Sequence, residues 1–379
     1  MANAWKEVAW IASEAINHTE DALNIAALCA KDKTADFNVK PNGYAVGSTV
    51  DIRTNPVYKA EEFTSAIVIQ DIRSSSRQMS IEKHFDVSAK LTAKEKRMDF
   101  EDFSTQVIRP AAYAIAEKVE DYLATKILHA AGMYVSSDLF GSSADMALAK
   151  KAATFQQLSP TGRFCLVNDT LEAKLLGAAY FNTYTNRGDK GAQVFTTGSM
   201  GYAMGMNFFS SLHLPTEANL AGTGVGVTNN TGGTTNKLGM TALTTTATTG
   251  TFKVGDRVQV AGARRPMRVL TQVTVGGLSI PLVDPIQEII PDAAAITVIG
   301  SGATNTFMGA IFDDSSLAIA SPMLDPASDK PSFSVSNNGV SIRVVQGYDM
   351  TAKTETISLD MLCGAAAYDQ RRITALYDN

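Results

Sequence analysis

Positions Trp5, Val8, Ala12, Ala15, Ile16, Thr19, Leu23 and Ala27 recur at steps of three and four, the spacing that lays one stripe along a helix. An amphipathic N-terminal helix with few interior partners is expected. After Lys31 the chain meets Pro41, Asn42 and Gly43, then alternates apolar and polar residues from Val46 to Arg53, which predicts a strand. The runs Ala66–Arg73 and Met79–Ala89 repeat that alternation with charged stretches between them. The three read together as a long exposed hairpin.

Helical spacing returns from Phe100 to Ala131, where Phe103, Val107, Ala111, Ile115, Val119, Tyr122 and Ile127 share one broad face. Pro110 lacks an amide proton and is expected to kink this helix or divide it. Met146–Leu158 predicts another helix, Arg163–Val167 a buried strand, and Asp169–Ala179 a helix capped by Asp169 or Thr170. From Ala221 to Thr251 the composition turns to Gly, Thr and Asn and short β-like runs continue to Gly302, which predicts a separate β-rich insert over Gly222–Ala303 entered through a flexible linker at Gly222–Gly226. Strands are predicted over Thr306–Ala320, Ser332–Gln346 and Thr351–Ala367, with Asn337-Asn338-Gly339 as a turn.

A chain of 379 residues exceeds one ordinary core and implies two to three folding units. At 45% hydrophobic and 19% charged it is a folded soluble protein, not disordered, collagen-like or disulfide-dense. The net charge of -5 argues against a protein whose main work is gripping nucleic-acid phosphate. The insert differs in sign: it holds six basic against four acidic residues, while the remainder holds 27 against 34. Cys29, Cys165 and Cys363 lie far apart with no CxxC spacing, so neither a zinc site nor a disulfide framework is built. Buried free thiols in a reducing cytoplasm are expected. No run reads as a secretion signal or a bilayer span, so the chain is expected to be made and used without export.

The four histidines, His18, His84, His129 and His213, fall in no recognisable site motif. No catalytic, cofactor-binding or metal-ligating residue is assigned, and the chain is not read as an enzyme. Gly222, Gly224 and Gly226 lack both the GxGxxG spacing and the Lys-Ser/Thr of a phosphate loop. Arg187-Gly188-Asp189 reads as a loop with a glycine turn. Glu61-Glu62, Lys94–Arg97 and the trio Arg264, Arg265 and Arg268 are either solvated surface or complementary charge across a subunit contact. A lone two-stranded projection is marginal in water and gains stability by lying on something else. A neighbouring copy is the economical candidate for that support, which points to a subunit of a symmetric assembly.

The order of elements then carries a resemblance. VGSTVDIRTNPVYKAEEF opening a hairpin, AIVIQDIR and SIEKHFDVSAKLTAKEKRMDF closing it, and RPAAYAIAEKVEDYLATKI as a long helix resemble the major capsid proteins of tailed bacteriophages, the Hong Kong 97-like shell proteins. RFCLVNDTLEAKLLGA and GVSIRVVQGYDMTAKTETISLDMLCGAAAY extend the likeness over nearly the whole chain. LTTTATTGTFKVGDRVQVAGARR is similar to the start of the inserted β-barrel in coat proteins of short-tailed Salmonella phages. There a KxGDxxxxAG turn falls on Lys253, Gly255, Asp256, Ala261 and Gly262. The acidic loop that bridges capsomers in some relatives has no counterpart here. Arg264, Arg265 and Arg268 stand as its replacement or as solvated charge.

The resemblance implies an α+β fold: an N-terminal arm at 1–36, extended loop and peripheral strands at 37–99, and a spine helix at 100–145. Axial domain follows at 146–221, the inserted β-barrel domain at 222–303, and axial and returning peripheral strands at 304–379. It implies self-assembly into pentamers and hexamers of an icosahedral virion shell, formed in the bacterial cytoplasm through a precursor that expands. The implied partners are a scaffolding protein, a portal protein and packaged double-stranded DNA held without sequence specificity, with no membrane and no cofactor. Inter-subunit contacts are expected at Trp5, Arg53, Glu61, Glu62, Arg73, Arg77, Arg264, Arg265 and Arg268, and no covalent cross-links are expected. An encapsulin-like compartment shell and a phage tail or adhesin component stand as alternatives.

Overall fold

A computed structural model describes the chain apart from residues 1, 39–47, 55–59, 61, 63–74, 93–102, 139, 157, 183–193, 195–196, 216–217, 221, 231–234, 287, 300–303, 370–371 and 379. The predicted run Ala66–Arg73, the charges Lys94–Arg97 and the tripeptide Arg187-Gly188-Asp189 lie outside the described residues. Two units are present, one formed by Met1–Asp51, Gln78–Lys126 and Asp314–Ala367, the other by Ile52–Arg77, Ile127–Asp313 and Tyr368–Asn379.

The first unit is built on a five-stranded antiparallel sheet whose longest member is Thr354–Ala367. Val340–Asp349 pairs with it through Arg343↔Asp360 to Asp349↔Thr354, and Lys83–Thr92 pairs on its other side from Thr354↔Thr92 to Cys363↔Lys83. The last four residues change partner and pair with Leu317–Ala320. Gly364 sits at that change, where a Cβ would stand 2.4 Å from the Ser80 carbonyl oxygen. Only glycine lets the backbones approach so closely. The strand expected at Met79–Ala89 is thus two strands, Ser75–Ser80 and Lys83–Thr92, and the second belongs to this sheet rather than to a projecting hairpin. Ser75–Ser80 pairs with Thr49–Thr54 in a separate two-stranded sheet.

The turn at Asn338-Gly339 joins Ser332–Asn337 to Val340–Asp349 with both central residues at positive φ, 45° and 78°. Asn and Gly tolerate that conformation, which matches the twist of the strands they join. The N-terminal helix Ala2–Ala22 packs on these two strands and buries Val8, Ile11, Ala12, Ala15 and Ile16. The expectation of an arm with few interior partners is therefore overturned. Its stripe is buried by strands more than 300 positions away in sequence, which periodicity cannot reveal.

Past the helix, the chain makes a short 3₁₀ turn at Ala26–Leu28, and Ala30 joins the sheet beside Leu317–Ala320. The turn's first amides point inward at Glu120, which is 1% exposed. The Ile25 N–H donates to both carboxylate oxygens, at 3.0 and 2.8 Å, and the Ala26 N–H donates to one at 3.1 Å. Glu120 lies on the long helix Arg109–Ala130. Pro110 stands where the winding changes, directly after a π-helical turn at Ser104–Ile108 and as the second residue of the α-helical stretch Arg109–Ala130.

In the second unit a seven-stranded mixed sheet runs in the order Met133–Ser136, Thr374–Asp378, Thr304–Asp313, Arg163–Val167, Met206–Ser210 and Tyr202–Ala203, with Ala218–Leu220 also paired to Thr304–Asp313. Helices Ser143–Phe155 and Asp169–Gly177 bury Met146, Ala149, Leu171 and Leu175 in one core with sheet residues Cys165 and Ile311. The cap of the second helix is Asn168, not Asp169 or Thr170: its side chain accepts from the Leu171 N–H at 2.9 Å. Such a cap contributes about 1 kcal/mol. The predicted strand Thr306–Ala320 is broken by a turn after Asp313, and Leu317–Ala320 pairs in the first unit instead.

Residues 222–299 form a six-stranded sheet ordered Met267–Arg268, Arg257–Val260, Ala295–Val298, Val225–Thr228, Ala242–Thr249 and Ser279–Pro281. Its edges are joined where the Leu270 N–H donates to the Pro281 carbonyl and the Val283 N–H to the Arg268 carbonyl, at 2.8 and 2.9 Å. Leu243, Phe252, Val258, Ile280, Ile286 and Ile296 fill its core. Gly222–Gly226 is not a flexible linker. A Cβ on Gly222 would stand 2.2 Å from the Thr251 carbonyl oxygen, one on Gly224 2.6 Å from the Phe252 ring, and Val225 begins a strand.

Replacing Glu120 with Ala leaves two buried amides without an acceptor and is expected to lower unfolding free energy by roughly 2–4 kcal/mol. Glu120→Gln keeps one acceptor and should lose less, as urea unfolding of the unassembled subunit will read. A second outcome concerns Glu82. Burial opposes its ionisation, but the Lys126 ammonium at 2.8 Å and hydrogen bonds from Ser80 and Tyr122 outweigh burial and hold its carboxyl below the ordinary 4.5. Its stabilisation is complete above pH 4.5 and is lost as pH falls through the lower folded value. The stability gap between the protein and Glu82→Gln should therefore close on acidification, measured by urea unfolding at pH 7, 5 and 3.

Candidate functional site

The junction between the six-stranded sheet and the mixed sheet of the second unit gathers several charged side chains in its interior. Asp256 follows Gly255, whose φ of 86° makes the turn, and its carboxylate accepts from the Gly222 N–H at 3.1 and 3.2 Å and the Lys253 N–H at 2.7 Å. The KxGD sequence is thus a staple that closes the neck of the insert. Burial raises the carboxyl of Asp256 above its ordinary value despite those donors.

Next to it, Arg257 is 5% exposed and reaches from the insert to the mixed sheet. Its Nε donates to the Ala131 carbonyl at 3.0 Å, and its guanidinium lies 5.7 Å from the Tyr134 ring centre and 5.9 Å from that of Tyr377. Guanidinium over two aromatic faces keeps its charge in a dry place at modest cost. Directly across the strand pair stands Arg268, whose Nε has no hydrogen-bond partner among the described residues. Burial first, then the like charges of Arg257 and Arg77, push its guanidinium down to about 9. Arg77 in turn pairs with Asp284 of the same chain.

The sequence-predicted contact residues therefore separate. Arg77 and Arg268 meet groups of their own chain, while Arg264 and Arg265 line a surface concavity. Glu62 is exposed. Trp5 lies on the N-terminal helix and Arg53 on the strand Thr49–Thr54, with side chains outside the described set, and Glu61 and Arg73 lie outside the described residues. Sequence reasoning missed Arg257, Tyr134, Lys150, Lys151 and Glu120. Lys150 and Lys151 were visible as a basic pair on a predicted helix, whereas nothing local marked the other three.

All three cysteines are buried and unpaired. Burial raises each thiol, Cys363 to about 12, so none is a thiolate nucleophile near neutral pH. Among the described residues no group of three or more His, Cys, Asp or Glu is placed to hold a metal ion, and no helix is long and apolar enough to cross a membrane. Large apolar side chains are nevertheless exposed on the insert, at Val254, Leu270, Val275 and Leu278, and around the turn after the strand Val340–Asp349, at Tyr348 and Met350.

No family model and no curated protein matches the chain. Solved structures do. "Mycobacterium phage Che8" matches with a TM-score of 0.55 at 11% identity, over 93% of this chain and 90% of that one. "Capsid structure of the Cyanophage P-SCSP1u" matches with a TM-score of 0.50 at 11% identity, over 90% and 85%. At these identities the likeness is one of fold, and it spans almost the full length of both chains.

Loss of Arg257 removes a charged hydrogen bond and two ring contacts, so Arg257→Ala should cost about 2 kcal/mol of stability. Arg268→Met removes a buried charge that lacks a partner at Nε and should cost less than about 1 kcal/mol. Urea unfolding of the two unassembled variants side by side checks the order.

Proposed function

We propose that this chain is the major capsid protein of a tailed bacteriophage. In this reading it has the Hong Kong 97-like fold with an inserted β-barrel domain and builds the icosahedral shell around a double-stranded DNA genome. The observation that carries the reading is the near end-to-end likeness of fold to the Che8 phage structure and the cyanophage capsid structure. The segments 1–36, 37–99, 100–145, 146–221, 222–303 and 304–379 then serve as arm, extended loop, spine, axial domain, insert and returning strands.

The physical chemistry of the chain supports a mechanical role. Exposed Leu212, Val275, Leu278 and Met350 are the kind of apolar surface that assembly covers. Contacts that are weak singly become strong when closure repeats them, because each new subunit is captured by several neighbours at high effective concentration. A net negative chain suits a container for DNA that must later leave, since it does not grip phosphate everywhere. Trp5, Arg53, Glu61, Glu62 and Arg73 remain the proposed contact residues of the arm and extended loop. Scaffolding and portal proteins, a precursor shell that expands, and assembly in the host cytoplasm belong to the same proposal.

Electron microscopy of the chain expressed alone and with a co-encoded scaffolding candidate is the test. Closed icosahedral shells that require or are made uniform by the scaffold are expected. Uniform trimers or fibres under both conditions would sink the reading in favour of a tail component, and scaffold-free shells that take up protein cargo would move it to a compartment. With shells in hand, Glu61→Lys/Glu62→Lys should reduce the yield of closed particles at least several-fold.

A further inference from the structure

Within the second unit, the helix Ser143–Phe155 and the loop between strands Arg257–Val260 and Met267–Arg268 enclose a concavity of about 570 Å³. Lys150 and Lys151 line it from the helix, Arg264 and Arg265 from the loop, with Thr154 and Phe155 between them. No carboxylate is among the described lining residues. Four cationic side chains from two elements thus line one space, a concentration of positive charge that favours an anion there.

The loop is held in place before any ligand arrives. Gly262 turns it at a φ of 84°, and the Gln259 side-chain amide donates to the carbonyls of Val260 and Ala263, at 3.0 and 2.7 Å. Glu288 is engaged with the backbone of the loop: its two oxygens accept from the N–H groups of Arg264 and Arg265, at 2.8 and 2.7 Å. The Arg264 guanidinium lies 5.5 Å from the Phe155 ring centre, which fixes its direction on the wall. Thr154 is used structurally, donating to the Lys150 carbonyl and accepting from Arg163, both at 3.0 Å. The ligand-facing chemistry is therefore that of the two lysines and two arginines.

We propose that this concavity is a binding site for phosphate groups. Arginine forks match the tetrahedral oxygens of phosphate and lysines supply point charge beside them. Four positive charges exceed what one carboxylate neutralises, and the volume admits a group the size of a nucleotide. The phosphate comes either from a free nucleotide or from the backbone of a nucleic-acid strand. The site does not depend on the shell reading, since it is a property of one subunit.

The unassembled full chain is titrated calorimetrically with inorganic phosphate, ATP, a short DNA duplex and, as a carboxylate control, an oligoglutamate peptide. Binding of a phosphate ligand that weakens as salt rises is expected, together with at least a tenfold loss in both Lys150→Gln/Lys151→Gln and Arg264→Gln/Arg265→Gln. Saturation by ATP at one per chain identifies a free nucleotide, and binding of duplex with little for ATP identifies a strand. Arg264→Lys/Arg265→Lys, which keeps charge and the Glu288 backbone bonds, should retain part of the affinity and guards against a folding defect. Equal affinities for the protein and the two glutamine variants would overturn the proposal. So would absence of binding by every phosphate ligand, or oligoglutamate binding as tightly as ATP and duplex, which would assign the site to an acidic protein segment.

Discussion

The first unit depends on a single constraint: every backbone group of the 14-residue strand Thr354–Ala367 must find a partner on each side of it. No two strands flank its whole length, so it changes neighbour along one edge, from Val340–Asp349, which pairs up to Asp360, to Leu317–Ala320, which pairs from Gly364. The N-terminal helix and the Glu120-bound turn then settle on the sheet this strand organises. Cross-strand pairs add specificity, most directly Arg343 with Asp360 at 2.6 Å. Remove the register of that one strand and three sequence-distant segments lose their common template.

The second unit solves a different problem, that of joining two cores that share no residues. Apolar packing alone tolerates sliding between two such bodies, whereas hydrogen bonds fix direction. Asp256 ties the neck to itself, and Arg257 crosses to Ala131 with its charge resting on Tyr134 and Tyr377. That crossing leaves Arg268 beside a like charge, a local conflict that the fold accepts for the sake of orientation.

What the sequence disclosed followed from how local each requirement is. Asn338-Gly339 was legible because a two-residue hairpin imposes positive φ on those residues themselves. The shift in composition after Ala221 coincides with the start of a six-stranded sheet made of Val225–Val298 alone, since a sheet with its own core sets its own residue preferences. The N-terminal helix was legible in outline, but its burial depends on Ser332–Asn337 and Val340–Asp349, and no local pattern encodes which strands arrive. Glu120 read as one more acid on an amphipathic helix, since only the tertiary fold brings the amides of Ile25 and Ala26 to it. Asn168 was missed by one position because Asp169, Thr170 and Asn168 are all good caps, and the choice is made by where strand Arg163–Val167 ends. The convergence of Lys150 and Lys151 with Arg264 and Arg265 was invisible for the same reason as Glu120.

The chain leaves the mixed sheet and returns to it side by side: Leu220 stands opposite Thr304, and inside the insert Val227 stands opposite Ala295. A body whose two ends meet so closely adds almost no loop-closure entropy to its host. Such a body is a graft in topological terms, separable as one piece while the host strands Ala218–Leu220 and Thr304–Asp313 keep their pairing. Its sequence answers to its own core and not to the host's, which leaves it free to be rich in threonine and glycine where the host is not.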